Sequence, residues 1–108
     1  MSMNQKYVSV FSNWDKERFR EIHHEDFMFI RETELLTLDE QVENIDRLIR
    51  EKDFGKQFVK IANLIHENDY VSEVRWQEGN EIITSVTLIK NGKAWRQIAN
   101  RVIHEKAA

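Results

Sequence analysis

The repeat of hydrophobic and polar positions changes from helical to strand-like about halfway along the chain. Tyr7, Val10, Phe11 and Trp14 stand at helical spacing and give the first segment one apolar face. The stretch SNWD interrupts it. Asp15 is placed to cap a second short helix whose buried side carries Phe19, Ile22 and His23. FMFIRE, beginning at Phe27, packs aromatics too densely for a helical stripe and reads as a strand. TLDEQVENIDRLIREKD is the clearest element. Thr37 and Glu40 form a capping box, and Leu38, Val42, Ile45 and Ile49 follow on one face.

Beyond that helix the pattern becomes sheet. QFVKIANLIH, YVSEVRW, EIITSVTLIK and KAWRQIANRVIH are separated by END, EGN and NG, which are turn residues. Asn91-Gly92 between two β-rich runs is a hairpin signal, because a type I′ turn needs φ > 0 at both central positions. Helices first and a four-strand meander after predict an α+β domain, with the helices on one face of a curved antiparallel sheet. The last two strands carry apolar residues on both faces. That predicts a covered outer face, most simply a homodimer with a self-complementary interface.

Composition narrows the function classes. At 108 residues the chain is expected to be one domain, 1–108, with 41% hydrophobic positions. Its net charge of -3 comes from acids and bases mixed along its length. Lacking a basic block, it is not expected to bind nucleic acid. The chain contains no cysteine, so disulfides and thiol nucleophiles are excluded. No apolar run reaches the roughly 20 residues that span a bilayer, so no membrane partner is expected. MSMNQKYVSV lacks the apolar core of a signal peptide, and the cytoplasm is the expected location.

IHHEDFMFI concentrates two histidines and two carboxylates. On a helix, adjacent His23 and His24 diverge by about 100° and cannot grip one metal together. His23 and Asp26 have better spacing, but Asp26 falls where the helix should end. His66 and His104 sit on expected strands without a second ligand two residues away. We therefore expect no metal and no cofactor, with Asp26 ordering the helix-to-strand turn and His23 packing at the helix edge.

The order of elements resembles the nuclear transport factor two-like superfamily, the cone-shaped α+β barrels that include ketosteroid isomerases and SnoaL-like polyketide cyclases. KYVSVFSNWDKERFREIHHEDFMFI, TLDEQVENIDRLI, NDYVSEVRW and NGKAWRQIANRVI carry the resemblance over nearly the whole chain. The chain is shorter than most members, with little between the long helix and the second strand. The resemblance implies a small-molecule pocket between the helices and the concave sheet, lined by Tyr7, Phe11 and Trp14 and by alternate strand residues.

It also implies positions where chemistry would stand. Tyr7 lies eight residues before Asp15, as does the oxyanion-binding tyrosine of ketosteroid isomerases, where a buried phenol donates to a developing enolate. The alternative is an amphipathic tyrosine with its ring in the core. The family's general-base aspartate falls at Arg31, with Glu32 beside it on the opposite strand face, and its second acid falls near Ile82. A guanidinium stays protonated and cannot serve as a base. Limonene epoxide hydrolases offer a second template, an arginine between two aspartates. Arg75 fits the arginine, but Gln77 and Gln97 occupy the acid positions, leaving Glu73, on the same strand face as Arg75, as a substitute base. Trp76 and Trp95 either wall the pocket or fill the core. Asn63, among Val59, Ile61 and Ile65, either orients a ligand or ties to another strand.

The leading expectation is a protein that binds a small organic molecule through Tyr7, Phe11, Trp14, Arg31, Asn63, Arg75, Trp76, Trp95 and Gln97. An isomerase, cyclase or hydrolase using Tyr7, Arg31 or Arg75, with Glu32 or Glu73 as the base, is the second reading. A structural or protein-binding module with a filled pocket is the third.

Overall fold

The structure, a computed structural model, describes residues 1–103; the expected end of the last strand at His104 lies outside them. Helix α1 (Met3–Ser12) starts at a capping box in which Ser2 accepts from the Gln5 amide and the Gln5 side chain accepts from the Ser2 amide. The Asp15 carboxylate then accepts from the Glu17 amide at 2.8 Å and opens α2 (Lys16–Glu21), which buries Phe19. Strand β1 (His23–Arg31) turns through Glu32 into a short β2 (Glu34–Thr37). The expected Thr37–Glu40 capping box starts α3 (Leu38–Lys52).

The next element differs from expectation. Residues 54–61 form a helix, α4 (Phe54–Ile61), and strand β3 is confined to Asn63–Glu67. Phe54, Phe58 and Ile61 recur at i, i+4 and i+7, a helical stripe hidden inside a run that also alternates as a strand would. Asp53 adopts φ 54°, which ends α3 and lets α4 leave in a new direction. Strands β4 (Val71–Glu78), β5 (Glu81–Lys90) and β6 (Lys93–Ile103) complete the meander, and Asn91 and Gly92 both have positive φ at the last hairpin.

The strands form one curved, open sheet in the order β2-β1-β6-β5-β4-β3. Pairing within the meander is antiparallel, as expected, but β1 joins β6 in parallel. Helices α3 and α4 carry the chain from the β2 edge to the β3 edge, so the meander returns with its last strand beside β1. The helices lie on the concave face, where Phe19, Phe27 and Val42 are fully buried. Among the described residues no helix is long and apolar enough to cross a membrane.

Two local expectations are corrected. Asp26 lies within β1 with an exposed side chain and caps no turn, because β1 begins four residues before FMFIRE, at His23. Glu32 sits in the β1–β2 turn at φ 55°, so it has no strand face.

α4 is fastened to α1 by a close backbone approach. A Cβ added to Gly55 would lie 2.8 Å from the Phe11 carbonyl oxygen. A helix interior ordinarily gains about 1 kcal/mol from Gly→Ala. Here the clash with a backbone atom should outweigh that gain, given about 1–3 kcal/mol for overpacking. We expect Gly55→Ala to lower the urea midpoint at an unchanged slope; a raised midpoint would show that the two helices can separate without cost.

Candidate functional site

Between the concave sheet and the helices lies a cavity of about 690 Å³, within the usual size of small-molecule sites. Tyr7 and Phe11 of α1 and Phe54 and Phe58 of α4 form its aromatic wall. Helix α3 contributes Gln41, Asn44, Ile45 and Leu48. The sheet contributes period-two positions: Ser72, Val74 and Trp76 on β4, Ile83, Ser85 and Thr87 on β5, and Gln97, Ala99 and Arg101 on β6. Phe29 and Arg31 of β1 complete the floor.

Its inner end is organised by a buried chain of hydrogen bonds. The Phe19 carbonyl can only accept, so His23 Nδ1, 2.5 Å away, carries the proton. That leaves Nε2 as an acceptor, and the Tyr7 hydroxyl donates to it at 2.6 Å. The Tyr7 oxygen in turn accepts from Gln97 Nε2 at 3.2 Å, and the same amide nitrogen donates to Thr87 Oγ1 at 2.8 Å. Burial raises the Tyr7 phenol well above its ordinary range, against a smaller lowering by Gln97. Burial lowers the His23 imidazole to about 4, against the opposing bond to Phe19. Both shifts disfavour a phenolate–imidazolium pair, so the dyad stays neutral.

Carboxylates are scarce in the cavity. Among the described residues that line it only Glu78 is acidic, and it lies at the mouth accepting from the Trp76 indole at 3.0 Å. Glu67 reaches behind the cavity, where it accepts from the Asn4 amide at 2.9 Å and Ser72 Oγ at 2.7 Å. Burial raises its carboxyl, but bonds from Ser72, Asn4 and Ser2 outweigh that and hold it below its ordinary range. Among the described residues no three His, Asp or Glu side chains are grouped to hold a metal.

The structure brings Tyr7, Phe11, Arg31, Trp76 and Gln97 to one cavity, together with Gln77 at its rim. Five other expected residues lie elsewhere. Trp14 stacks behind Phe11 and donates to Asp46 at 3.0 Å. Asn63 is exposed and bonds locally to the Ile61 carbonyl, because α4 leaves it at the start of an edge strand. Trp95 is the unpaired residue of a β-bulge, set between Arg96 and Lys90 at 4.3 and 5.3 Å from its ring. Arg75 and Glu73 do share a face, but Ser72, Val74 and Trp76 take the inner one, so the pair points outward and interacts at 3.5 Å. Ile82 likewise faces out beside Val102, with Ile83 inside.

Sequence reasoning missed the contribution of α4, and it did not single out Gln41 and Asn44 on the polar edge of the α3 stripe. The period-two run Ser72, Val74, Trp76 was the available signal for the inner face of β4.

No protein-family model and no curated relative matches the sequence. Solved structures do. An NTF-2-like protein of unknown function from Burkholderia xenovorans superposes with a TM-score of 0.63 at 10% identity, covering 98% of this chain and 84% of that one. A putative ketosteroid isomerase from Kribbella flavida gives 0.61 at 13% identity over 98% and 79%. A protein designed de novo for diverse pocket structures gives 0.56 at 19% identity over 93% and 96%.

The neutral dyad gives stability a defined pH dependence. The unfolded imidazole takes up its proton near 6.5 and the native one only near 4. Between those values the unfolded chain binds more protons, so the contribution is complete above pH 6.5 and is lost as pH falls toward 4. It amounts to about 3 kcal/mol. Urea unfolding of wild type and His23→Gln across this range should show the wild-type curve falling more steeply by that amount. Parallel curves would mean that His23 titrates normally in the native state.

Proposed function

We propose that this chain, which has the cone-shaped α+β fold of the nuclear transport factor two-like superfamily, binds a small, largely apolar organic molecule in the cavity beneath its helices. The observation that carries this reading is the lining itself: about 690 Å³ with an aromatic and aliphatic wall from α1, α4 and the sheet, and amide, hydroxyl and guanidinium groups distributed between its inner end and its mouth. Gln97 supplies one of them. Its nitrogen is engaged by Tyr7 and Thr87, and its carbonyl oxygen has no partner among the described residues and is left to accept from a ligand.

Binding without turnover is the better supported role. Enolisation and epoxide opening need a carboxylate or another base at the reacting atom. The Tyr7 hydroxyl proton is engaged in its hydrogen bond to His23, and Glu73 and Arg75 are on the other side of the sheet. The one lining acid, Glu78, is held at the mouth.

We also propose a homodimer through the outer sheet face. Leu35, Ile30, Ile98 and Val86 form a row across four strands, with Leu35 59% and Ile98 44% exposed. Val102, 61% exposed, extends the patch along β6. An apolar row of this kind on a sheet is self-complementary under a two-fold axis. Light scattering should give twice the 13.0 kDa chain mass, and Ile98→Glu should return it to the monomer. A monomer in the wild type at high micromolar concentration would contradict the assignment.

The binding reading is tested by thermal shift against organic acids, aromatic ketones, steroids and terpenoid epoxides. A ligand at a hundred times its dissociation constant stabilises the native state by about 2.7 kcal/mol. Ala99→Phe, which puts a ring into the cavity, should abolish any such shift. Failure of every class, or a shift that survives Ala99→Phe, would sink the proposal.

A further inference from the structure

The mouth of the cavity carries an arrangement of donors that points to a ligand class, and this inference rests on the binding reading above. Arg31 pairs in register with Ala99, and Arg101 follows two residues along the same face of β6. Strand rise and spacing put the two backbones about 8 Å apart across a methyl group. Two long guanidinium side chains so placed can converge on one anion, for which their planar fork is suited. Each is tethered by a carboxylate outside the cavity lining, Arg31 by Glu34 at 2.9 Å and Arg101 by Glu81 at 2.6 Å. These tethers restrict the side chains while leaving donors over.

A second, independent observation comes from α3. Arg47 only donates, so the oxygen of Asn44 faces it at 2.9 Å and the Asn44 nitrogen must point the other way. That nitrogen donates to Gln41 Oε1 at 3.2 Å. The Gln41 nitrogen is therefore left without a protein partner among the described residues, on a side chain only 3% exposed that lines the cavity. No fully buried side-chain nitrogen or oxygen among the described residues lacks a partner, so this donor keeps accessible surface on a residue that lines the cavity, where a ligand can accept from it.

We infer that the ligand is an organic monocarboxylate, its apolar body against the aromatic wall and its carboxylate held by the donors of Arg31, Arg101 and Gln41. Single charge follows from the rim. Glu34 and Glu81 already offset the charges of Arg31 and Arg101, and Glu78 stands on the lining, so little net positive charge is left to balance a dianionic head such as a phosphate monoester. Lys52, also on the lining, has no carboxylate within ion-pair distance among the described residues and adds attraction at the entrance.

The test uses 1-naphthylacetate and its primary amide, which share a body and differ in charge, with 1-naphthyl phosphate as the dianion. Titration calorimetry with the full chain should give the carboxylate at least a tenfold advantage over the amide, shrinking as salt is raised. In an R31Q/R101Q double variant, checked for folding by circular dichroism, that advantage should fall below twofold. Equal affinity of acid and amide in the wild type overturns anion recognition while leaving the binding reading standing. A preference that persists in the double variant overturns the arginine assignment. Tighter binding of the phosphate than of the carboxylate overturns the single-charge argument. Binding of none of the three, alongside a thermal shift from an uncharged steroid or ketone, overturns the carboxylate class alone; failure of all classes overturns the binding reading with it.

Discussion

The hydrogen-bond chain from the Phe19 carbonyl through His23, Tyr7 and Gln97 to Thr87 constrains everything around it. It links the end of α2, the start of β1, α1, β6 and β5 in the one region where apolar rings pack most densely. Each polar atom in it has one assignable role, set from the end that can only accept. Because the dyad is buried and neutral, its bonds are made in a low-dielectric setting, where an unpaired member would cost about 1–3 kcal/mol. The chain therefore ties α1, through Tyr7, to β1 and β6 at the inner end of the cavity.

That same constraint is what favours the proposed binding role over chemistry at Tyr7. A tyrosine at this position would be an oxyanion donor if its proton pointed into the cavity. Here the proton points at an imidazole whose other nitrogen is already committed. The cavity keeps an amide oxygen at its inner end and donors at its mouth, and its only acid is engaged by an indole. This polarity supports the proposed reading of a site that orients a molecule and holds it.

Much of the fold was legible in the sequence because strong local signals coincide with tertiary structure. Asp15, the Thr37–Glu40 capping box and Asn91-Gly92 act within four residues of themselves, and each formed as expected. The failures share a cause. Residues 54–66 satisfy helical and strand periods at once, and the left-handed Asp53 that decides between them has no signature in the apolar pattern. Missing α4 displaced Asn63 from the start of its strand to the strand's middle. The site suffered from parity: Arg75 and Glu73 were placed on one face correctly, but which face is inner depends on Val74 and Trp76. Trp95 was lost to a bulge, a one-residue insertion that no alternation pattern reveals. Tyr7, Phe11, Arg31 and Gln97 were placed near the pocket from the resemblance and Trp76 from the habit of large rings to wall pockets, and all five line one cavity in the structure.

The central claim is that the space between helices and sheet is open to a ligand. Methyl-resolved NMR of the full chain, titrated with the tightest ligand found, tests it most directly. Ala99, Val74, Ile83 and Ile45 face inward, and Ile98, Val86 and Val102 face outward. The account predicts progressive shifts in the inner set at concentrations that leave the outer set unmoved. Shifts confined to the outer methyls would place binding on the sheet's other face and contradict it.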